Sequence, residues 1–384
     1  MLTTLGMNVR ALLGLVGTCS VLLACSDEPQ SLKRRNGAVA GVGVAPGQGE
    51  QAQSDEEASA EQAGSAPVSD GAGAPVSTGS GTGAQPAPAG TGTQPTPAGG
   101  RGVDVPGPWV SFYGPAAGVN LGKVASSFRF INIDADPGTG NYTPAQIATL
   151  KAQGKNRVVS YLNLGSCESF RTYYAQAPAG LASCVSSGAL TTNYDGYPDE
   201  KWANLSNAAY RKLMVDHVAA RLMAQGVDGF YLDNLEVVEH GAGNSNGPCD
   251  AKCAQGGLDL VFELRAKFPN AVIIMQNATS DVTRLGQTHG VAFRSLLDGI
   301  SHEEVYGPGG DASVRSELLA WKGSSLGSAQ KPFWISTEDY VGACNASKKS
   351  AALSILQKAS NDGIKGYVTD ESGGQTTPCH WDDF

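Results

Sequence analysis

The sequence predicts an α/β fold, a (β/α)8 TIM barrel preceded by a lipoprotein signal and a long disordered linker. Three observations support this prediction. Eight short runs rich in β-branched and aromatic residues follow one another, helical patterns lie between several of them, and the first aromatic residue of the chain is Trp109. The runs are apolar nearly throughout, as in parallel strands that helices cover on both faces, and this alternation favours a barrel.

The eight predicted strands cover residues 109–114, 128–134, 157–165, 229–235, 271–277, 298–306, 332–340 and 363–372. Among the helices, Thr143 is expected to cap a helix that has Pro144 at its first position, and Ser206 begins a longer amphipathic helix. Helical spacing recurs around Leu258. The first connection, residues 116–127, has the weakest helical pattern.

Residues 1–25 have the pattern of an export signal. Arg10 precedes an apolar stretch, residues 11–24, that is too short for a stable membrane span. The ending LLAC resembles a bacterial lipobox, in which cleavage leaves Cys25 as the lipid anchor. Because Ser26 follows instead of aspartate, the resemblance implies an exported lipoprotein of the outer membrane or cell surface. The alternative is an ordinary cleavable signal.

Residues 26–105 form the predicted linker. They consist mainly of Gly, Ala, Ser, Thr, Pro and Gln, and such a segment cannot bury enough apolar surface to offset its chain entropy. We therefore expect a disordered tether that holds a single folded domain, residues 106–384, away from the membrane.

The charge of the chain limits its partners. The formal net charge is −9, which argues against nucleic acid and favours a cationic partner. Membrane contact is expected through the lipid anchor only. We expect a monomer that needs neither a cofactor nor a metal.

Six cysteines remain when Cys19 in the signal and Cys25 at the anchor are set aside. They are Cys167, Cys184, Cys249, Cys253, Cys344 and Cys379. In an exported protein an even number of cysteines indicates disulfides. Six cysteines allow fifteen pairings, and proximity in the sequence suggests Cys167 with Cys184, Cys249 with Cys253, and Cys344 with Cys379. Zinc is the alternative, but the CDAKC segment lacks a second pair of ligands.

Polar residues end most of the predicted strands, and barrel enzymes build their active sites at the C-terminal ends of strands. Carboxylates dominate these positions. Two carboxyl groups can hydrolyse a glycosidic bond, because one protonates the leaving oxygen while the other attacks the anomeric carbon or activates water. A helix cap or a loop salt bridge is the alternative for any single residue.

Several segments resemble glycoside hydrolase family 114, the endo-α-1,4-polygalactosaminidase family, across nearly all of residues 109–384. The segment VVSYLNLGSCESFR is similar to the family pattern Tyr-x-x-x-Gly-x-x-Glu-x-x-Arg and places Glu168 and Arg171 in it. The segment from KWAN to GFYLDNLE is similar to the family pattern of a tryptophan, a helix and then an Asp-Asn pair. It places Asp233 and Asn234 at that pair. SHEEVYG resembles the family's Asn-Glu-Gln element, which aromatic residues follow.

The resemblance implies that Asp233 and Glu303 are catalytic, with Glu304 at the position of the family's glutamine. By analogy with retaining α-glycosidases on barrels, Asp233 would be the nucleophile and Glu303 the acid/base, although retention or inversion stays open. Gln276 replaces a basic residue of the family. The candidate substrate-binding residues are Asp134, Tyr161, Glu168, Arg171, Tyr231, Asn234, Asn277, Glu304, Tyr306, Trp334, Asp339, Tyr340 and Asp370.

The resemblance further implies cleavage of internal α-1,4-galactosaminidic bonds in a biofilm exopolysaccharide. A partly deacetylated polymer carries ammonium groups, which an acidic cleft would attract. Two alternatives stay open: a non-catalytic carbohydrate-binding lipoprotein, and a hydrolase of the same fold that acts on another α-linked amino-sugar polymer.

Overall fold

The computed structural model describes residue 103 and residues 105–323, 333–370 and 374–384. The predicted signal, the anchor Cys25 and nearly all of the predicted linker lie outside these residues. The predicted linker includes Val103, but this residue is only 4% exposed and packs in the hydrophobic core. The folded part therefore reaches back at least to Val103.

Eight parallel strands of the described chain form one sheet in sequence order. They are β1 (Trp109–Ser111), β2 (Phe130–Ile133), β3 (Arg157–Asn163), β4 (Gly229–Asp233), β5 (Val272–Gln276), β6 (Gly299–Glu303), β7 (Trp334–Tyr340) and β8 (Lys365–Thr369). The sheet curls until β1 approaches β8, where the Trp109 indole donates a hydrogen bond of 3.0 Å to the Lys365 carbonyl. This near-closed arrangement confirms the predicted barrel.

Helices surround the sheet. They are α1 (Leu121–Ser127), α2 (Pro144–Leu150), α3 (Cys184–Ser187), α4 (Ala208–Leu213), α5 (Ala220–Ala224), α6 (Ala251–Lys267), α7 (Asp281–Arg284), α8 (Ala312–Gly323) and α9 (Lys349–Asn361). A π-helical segment joins α4 to α5, and short 3₁₀ turns occupy Ala116–Gly118, Ala152–Gly154, Leu235–Glu239, Phe293–Leu296, Ala346–Lys348 and Trp381–Asp383. No helix in the described ranges is long and apolar enough to cross a bilayer.

The predicted helix starts are partly right. Thr143 caps α2 in a capping box with Pro144 behind it, as expected. The cap of α4 is Asn207, whose side chain accepts from the Ala209 and Tyr210 amides, so the start predicted at Ser206 is wrong by two residues. The weakest pattern nevertheless forms α1, because Asn120 caps it.

The connection between β3 and β4 forms a second, antiparallel sheet. This outer sheet consists of Ser166–Glu168, Leu190–Tyr194 and Tyr197–Ala203. The Cys167–Cys184 disulfide ties its first strand to α3. The other two disulfides, Cys249–Cys253 and Cys344–Cys379, complete the three predicted pairs. A further small hairpin pairs Gln287–Thr288 with Val291–Ala292.

Aromatic rings fill the barrel where the strands begin. Trp334 is the first residue of β7, is 2% exposed and packs on Phe130 with ring centroids 4.7 Å apart. Tyr231 lies in the middle of β4, is fully buried and stacks on Trp109 at 6.2 Å. Trp334 therefore lies at the opposite end of the barrel from the C-terminal residues of the strands, and Tyr231 lies in the core. The predicted substrate-binding roles of both residues stay predictions.

Candidate active site

Three neighbouring strands end in the same way. Asn234, Asn277 and Glu304 directly follow β4, β5 and β6, and each has a positive φ, of 59°, 66° and 56°. Residues other than glycine rarely adopt this left-handed conformation, which asparagine tolerates best. The chain therefore turns sharply as soon as each strand ends, and the polar side chains of three strands come together at the C-terminal end of the barrel.

Glu303, the last residue of β6, is held by both neighbouring strands. Its Oε2 accepts a 2.8 Å hydrogen bond from the Asn277 amide, and the Tyr340 hydroxyl donates to its Oε1. The Glu303 backbone amide in turn donates to Asn277 Oδ1 at 3.1 Å, and Gln375 donates to the Tyr340 hydroxyl at 2.5 Å. Both oxygens of this carboxyl group are thus fixed in place.

Asp233, the last residue of β4, is 3% exposed and pairs in register with Asn163 of β3. Its carbonyl accepts from the Leu164 amide at 3.0 Å. A Cβ atom at Gly165 would lie 1.7 Å from the Asn234 carbonyl oxygen, so only glycine allows the two chains to approach this closely. The backbone on both sides of Asp233 is therefore tightly packed.

Glu236 lies within electrostatic reach of both Asp233 and Glu303. Burial raises the pKa of the Glu236 carboxyl well above its usual value, and the charge of Asp233 and then that of Glu303 raise it further. Its Oε2 is shielded from solvent and has no hydrogen-bond partner in the described structure. Three carboxyl groups thus share one small region. Sequence reasoning missed Glu236, although an acid three residues after Asp233 was a usable signal; the structure places it in the 3₁₀ turn Leu235–Glu239.

Glu239 continues this line of acids. Burial raises the pKa of Glu239 to about 7, although its Oε1 accepts from the Ser280 amide at 3.1 Å and the Thr283 hydroxyl at 3.2 Å. In a 3₁₀ turn, residues three apart lie one above the other. Glu236 and Glu239 therefore extend the acidic surface from Asp233 towards the loop after β5.

Glu200 is a second residue that sequence reasoning missed. The outer sheet carries it to the end of β3, where it is 7% exposed. Burial raises the pKa of Glu200 to about 8, with further contributions from the charges of Glu168 and Asp233. The only signal in the sequence was an acid three residues before Ala203 in a hairpin, which does not distinguish it from a surface residue.

Arg171 neutralises two of the predicted substrate-binding acids. Its guanidinium donates to Glu168 at 2.6 and 3.2 Å and to Asp134 at 2.9 and 3.2 Å, and all three residues are at most 4% exposed. The Tyr161 hydroxyl lies 3.5 Å from Glu168. Burial lowers the pKa of Arg171, but Asp134 and Glu168 outweigh it and the net pKa is raised. The structure thus places these four residues in a buried network beside the site.

Asp339 and Tyr306 are likewise engaged in holding a loop. The Asp339 carboxylate accepts from the Tyr306 and Gly307 amides at 2.7 and 2.8 Å, and the Tyr306 hydroxyl donates to Asp362 at 2.6 Å. Burial raises the pKa of Asp339. Of the remaining candidates, Asp370 directly follows β8 and is partly exposed. The binding roles of all these residues stay predictions.

The geometry favours acid and base chemistry by side chains. Within the described ranges, no group of three or more His, Cys, Asp or Glu residues could hold a metal ion. The structure brings Asp233 at the end of β4, Glu236 in the 3₁₀ turn that follows and Glu303 at the end of β6 into one region, with fixed donors on Glu303. Such a set can protonate a leaving oxygen and supply a carboxylate at an anomeric carbon.

Solved structures of similar fold include the glycoside hydrolase domain of PelA from Pseudomonas aeruginosa. It is 15% identical, with 70% of this chain and 96% of that chain covered and a TM-score of 0.51. Ega3 from Aspergillus fumigatus, solved in complex with galactosamine, is 17% identical, with 76% and 99% covered and a TM-score of 0.49. No curated protein matches the sequence. The family model of glycoside-hydrolase family GH114 matches residues 117–295, which confirms the predicted resemblance to that family and the expectation of a glycoside hydrolase.

Proposed function

We propose that the protein cleaves internal α-1,4-galactosaminidic bonds of a cationic, galactosamine-containing exopolysaccharide, with Asp233 and Glu303 as the catalytic pair. The observation that carries this proposal is the position of the two residues: each ends a barrel strand, and both lie within electrostatic reach of Glu236. The family match supports the class of reaction, and the bond and the substrate follow from the family resemblance.

The proposed mechanism uses two displacements. The Asp233 carboxylate attacks the anomeric carbon while Glu303 gives its proton to the leaving oxygen, and the glycosidic bond breaks. Glu303 then takes a proton from water, whose oxygen attacks the same carbon and releases Asp233. Because Asn277 and Tyr340 fix both oxygens of Glu303, the proton is transferred from a defined position. The anomer first released, read by NMR, tests retention against inversion.

The charges of the site support a cationic substrate. Glu200, Glu236 and Glu239 each have a raised pKa, for which burial is the largest cause and neighbouring carboxylates are contributors. Arg171 is already paired with Asp134 and Glu168. An ammonium group of the polymer beside these carboxyl groups would favour their ionised forms and pair with the carboxylates that result.

Tethering by a lipid on Cys25 is part of the same proposal. The linker would let the catalytic domain reach polymer beyond the outer membrane while the enzyme stays with its cell. The prediction is that Cys25→Ser releases active enzyme from the membrane fraction, as fractionation of cells would measure. Retention of the variant in the membrane would contradict the anchor.

The activity test uses the chain from Ser26 to Phe384 with deacetylated and fully acetylated α-1,4-galactosamine polymers, and detects oligomers by mass spectrometry. Asp233→Asn and Glu303→Gln should abolish cleavage. Asp216→Asn and Glu263→Gln are matched controls, because they change partly exposed helix carboxylates that pair with surface cations. Cleavage by the double catalytic variant would overturn the assignment, whereas binding without cleavage by the native chain would favour a carbohydrate-binding protein.

A further inference from the structure

The outer sheet delivers a carboxyl group that the proposed mechanism does not use. Glu200 Oε1 accepts from the Asn163 side-chain amide at 2.6 Å and from the Asn234 side-chain amide at 2.8 Å, and it also contacts the Ser166 hydroxyl. These four residues are at most 7% exposed. A buried carboxyl group thus binds side chains from the ends of both β3 and β4.

The two asparagines are the immediate neighbours of Asp233. Asn163 is its partner across the β3–β4 pair, and Asn234 follows it in the chain with a φ of 59°. Asn234 also donates to Ser166 at 2.8 Å, so both hydrogens of its amide are directed into this cluster. Glu200 therefore ties down the residue beside Asp233 and the residue after it.

The cluster stays closed whether or not Glu200 carries a proton. Ser166 has one hydroxyl hydrogen and two acceptors within reach, Asn163 Oδ1 at 2.9 Å and Glu200 Oε1. When Glu200 is ionised, Ser166 donates to it. When Glu200 is protonated, it can donate to Ser166, which then donates to Asn163. Rotation of one hydroxyl group is the only rearrangement needed.

The charged surroundings of Glu200 favour the protonated form. Glu168 of the outer sheet and Asp233 of β4 face it, and Tyr194 and Tyr210 are the neighbouring phenols. Arg171 is paired with Glu168. With burial as the largest cause, the pKa of Glu200 is about 8, so near neutral pH the group adds little negative charge beside Asp233.

We infer that Glu200 is a positioning residue that holds the carboxylate of Asp233 in place through Asn163 and Asn234. The inference rests on the proposed role of Asp233. Because Glu200 acts through two buried amides, its loss should lower kcat and leave KM nearly unchanged. A group that bound the substrate directly would instead raise KM.

The test compares Glu200→Leu with Glu200→Gln in the chain from Ser26 to Phe384, acting on deacetylated polymer. Displacement of a catalytic group by a fraction of an ångström to an ångström can cost up to about 100-fold in rate. We expect Glu200→Leu to lower kcat by roughly 10- to 100-fold with KM within about twofold. Glu200→Gln, whose carbonyl still accepts from both asparagines, should restore most of kcat.

Asn234→Gly supplies a second route if Glu200→Leu does not fold. Glycine suits the positive φ of this position but lacks the amide that contacts Glu200. It should lower kcat like Glu200→Leu, and the double variant should lose no more than either single variant. Near-native kcat in Glu200→Leu or Asn234→Gly would overturn the inference, and so would a raised KM in Glu200→Gln. As long as the native chain cleaves the polymer, these results would leave the proposed function unaffected.

A measurement without turnover separates the two proposals if the native chain proves inactive. The side-chain amide NMR signals of Asn163 and Asn234 should titrate with a midpoint near pH 8 in the native protein. They should not titrate in Glu200→Gln. Side-chain amide signals that do not shift with pH in the native chain would refute the coupling of Glu200 to the two asparagines.

Discussion

Asn277 and Glu303 hold each other at the ends of neighbouring strands. The Asn277 side chain donates to the Glu303 carboxylate at 2.8 Å and accepts from the Glu303 backbone amide at 3.1 Å. The positive φ of Asn277 points its amide across the gap between β5 and β6. Two residues 26 apart in sequence thus orient the proposed acid/base as one unit.

Removal of this contact should impair the chemical step. Asn277→Gly keeps the left-handed backbone but removes the amide, so we expect kcat to fall by roughly 10- to 100-fold at nearly constant melting temperature. Asn277→Ala should lose a similar factor and also destabilise the fold by about 1 kcal/mol, because alanine is strained at positive φ. Kinetics and thermal melts check both. Full kcat in Asn277→Gly would contradict the proposed role of Glu303.

The close approach at Gly165 predicts a sensitive position. Gly165→Ala would place a Cβ 1.7 Å from the Asn234 carbonyl, so β3 and β4 must shift at the level of Asp233. We expect a loss of about 1–3 kcal/mol in the free energy of unfolding and a lower kcat. Gly118→Ala is the matched control, because its new Cβ would meet no atom within 4 Å. Equal stability of the two variants would refute the packing argument.

The raised pKa of Glu200 predicts how stability depends on pH. Its pKa is about 8 in the folded protein and 4.5 for the free side chain, so the folded state retains a proton that the unfolded chain has lost. This contribution is complete below about pH 4.5 and disappears as pH rises through about 8. Between about pH 5 and pH 9 the native protein should lose on the order of 4 kcal/mol more stability than Glu200→Gln.

Urea unfolding of both proteins at several pH values measures this difference. Glu239 titrates in both, so the comparison isolates Glu200. Parallel curves for the native protein and Glu200→Gln would show that Glu200 has no raised pKa in the folded state.

The disulfide of the outer sheet should support activity. Cys167 and Cys184 close a loop with a sequence separation of 17, and the sheet that they tie down carries Glu200. Replacing both by serine should cost about 3 kcal/mol and lower kcat. The Cys249–Cys253 pair, with a separation of 4, is the control and should cost less. Thermal melts and kinetics measure both effects, and unchanged kcat in the first variant would contradict the link between this sheet and Asp233.

Much of the barrel was predictable because its signals are local. Each strand is a short apolar run that ends in polar residues, and the predicted order of eight strands is the order in the sheet. The predicted runs extend past the strands, since the last residues of several runs already turn with a positive φ, as at Asn234 and Asn277. The same local reasoning did not show that Trp334 is the first residue of β7, because an apolar run in the sequence does not reveal where the strand within it begins.

The sequence by itself determined the fold, the disulfide pairs suggested by proximity, and the strand-end positions of Asp233 and Glu303, since periodicity and spacing are properties of neighbouring residues. Only the tertiary structure decided which acids surround them. Glu200 meets Asn163 across 37 residues, and Ser166 meets Asn234 across 68. Arg171 pairs with Asp134, 37 residues away in the sequence, and compensates its charge. Burial, and the charges that burial brings together, arise only when distant segments pack, which is why the pKa of Glu200 has no signature in the chain.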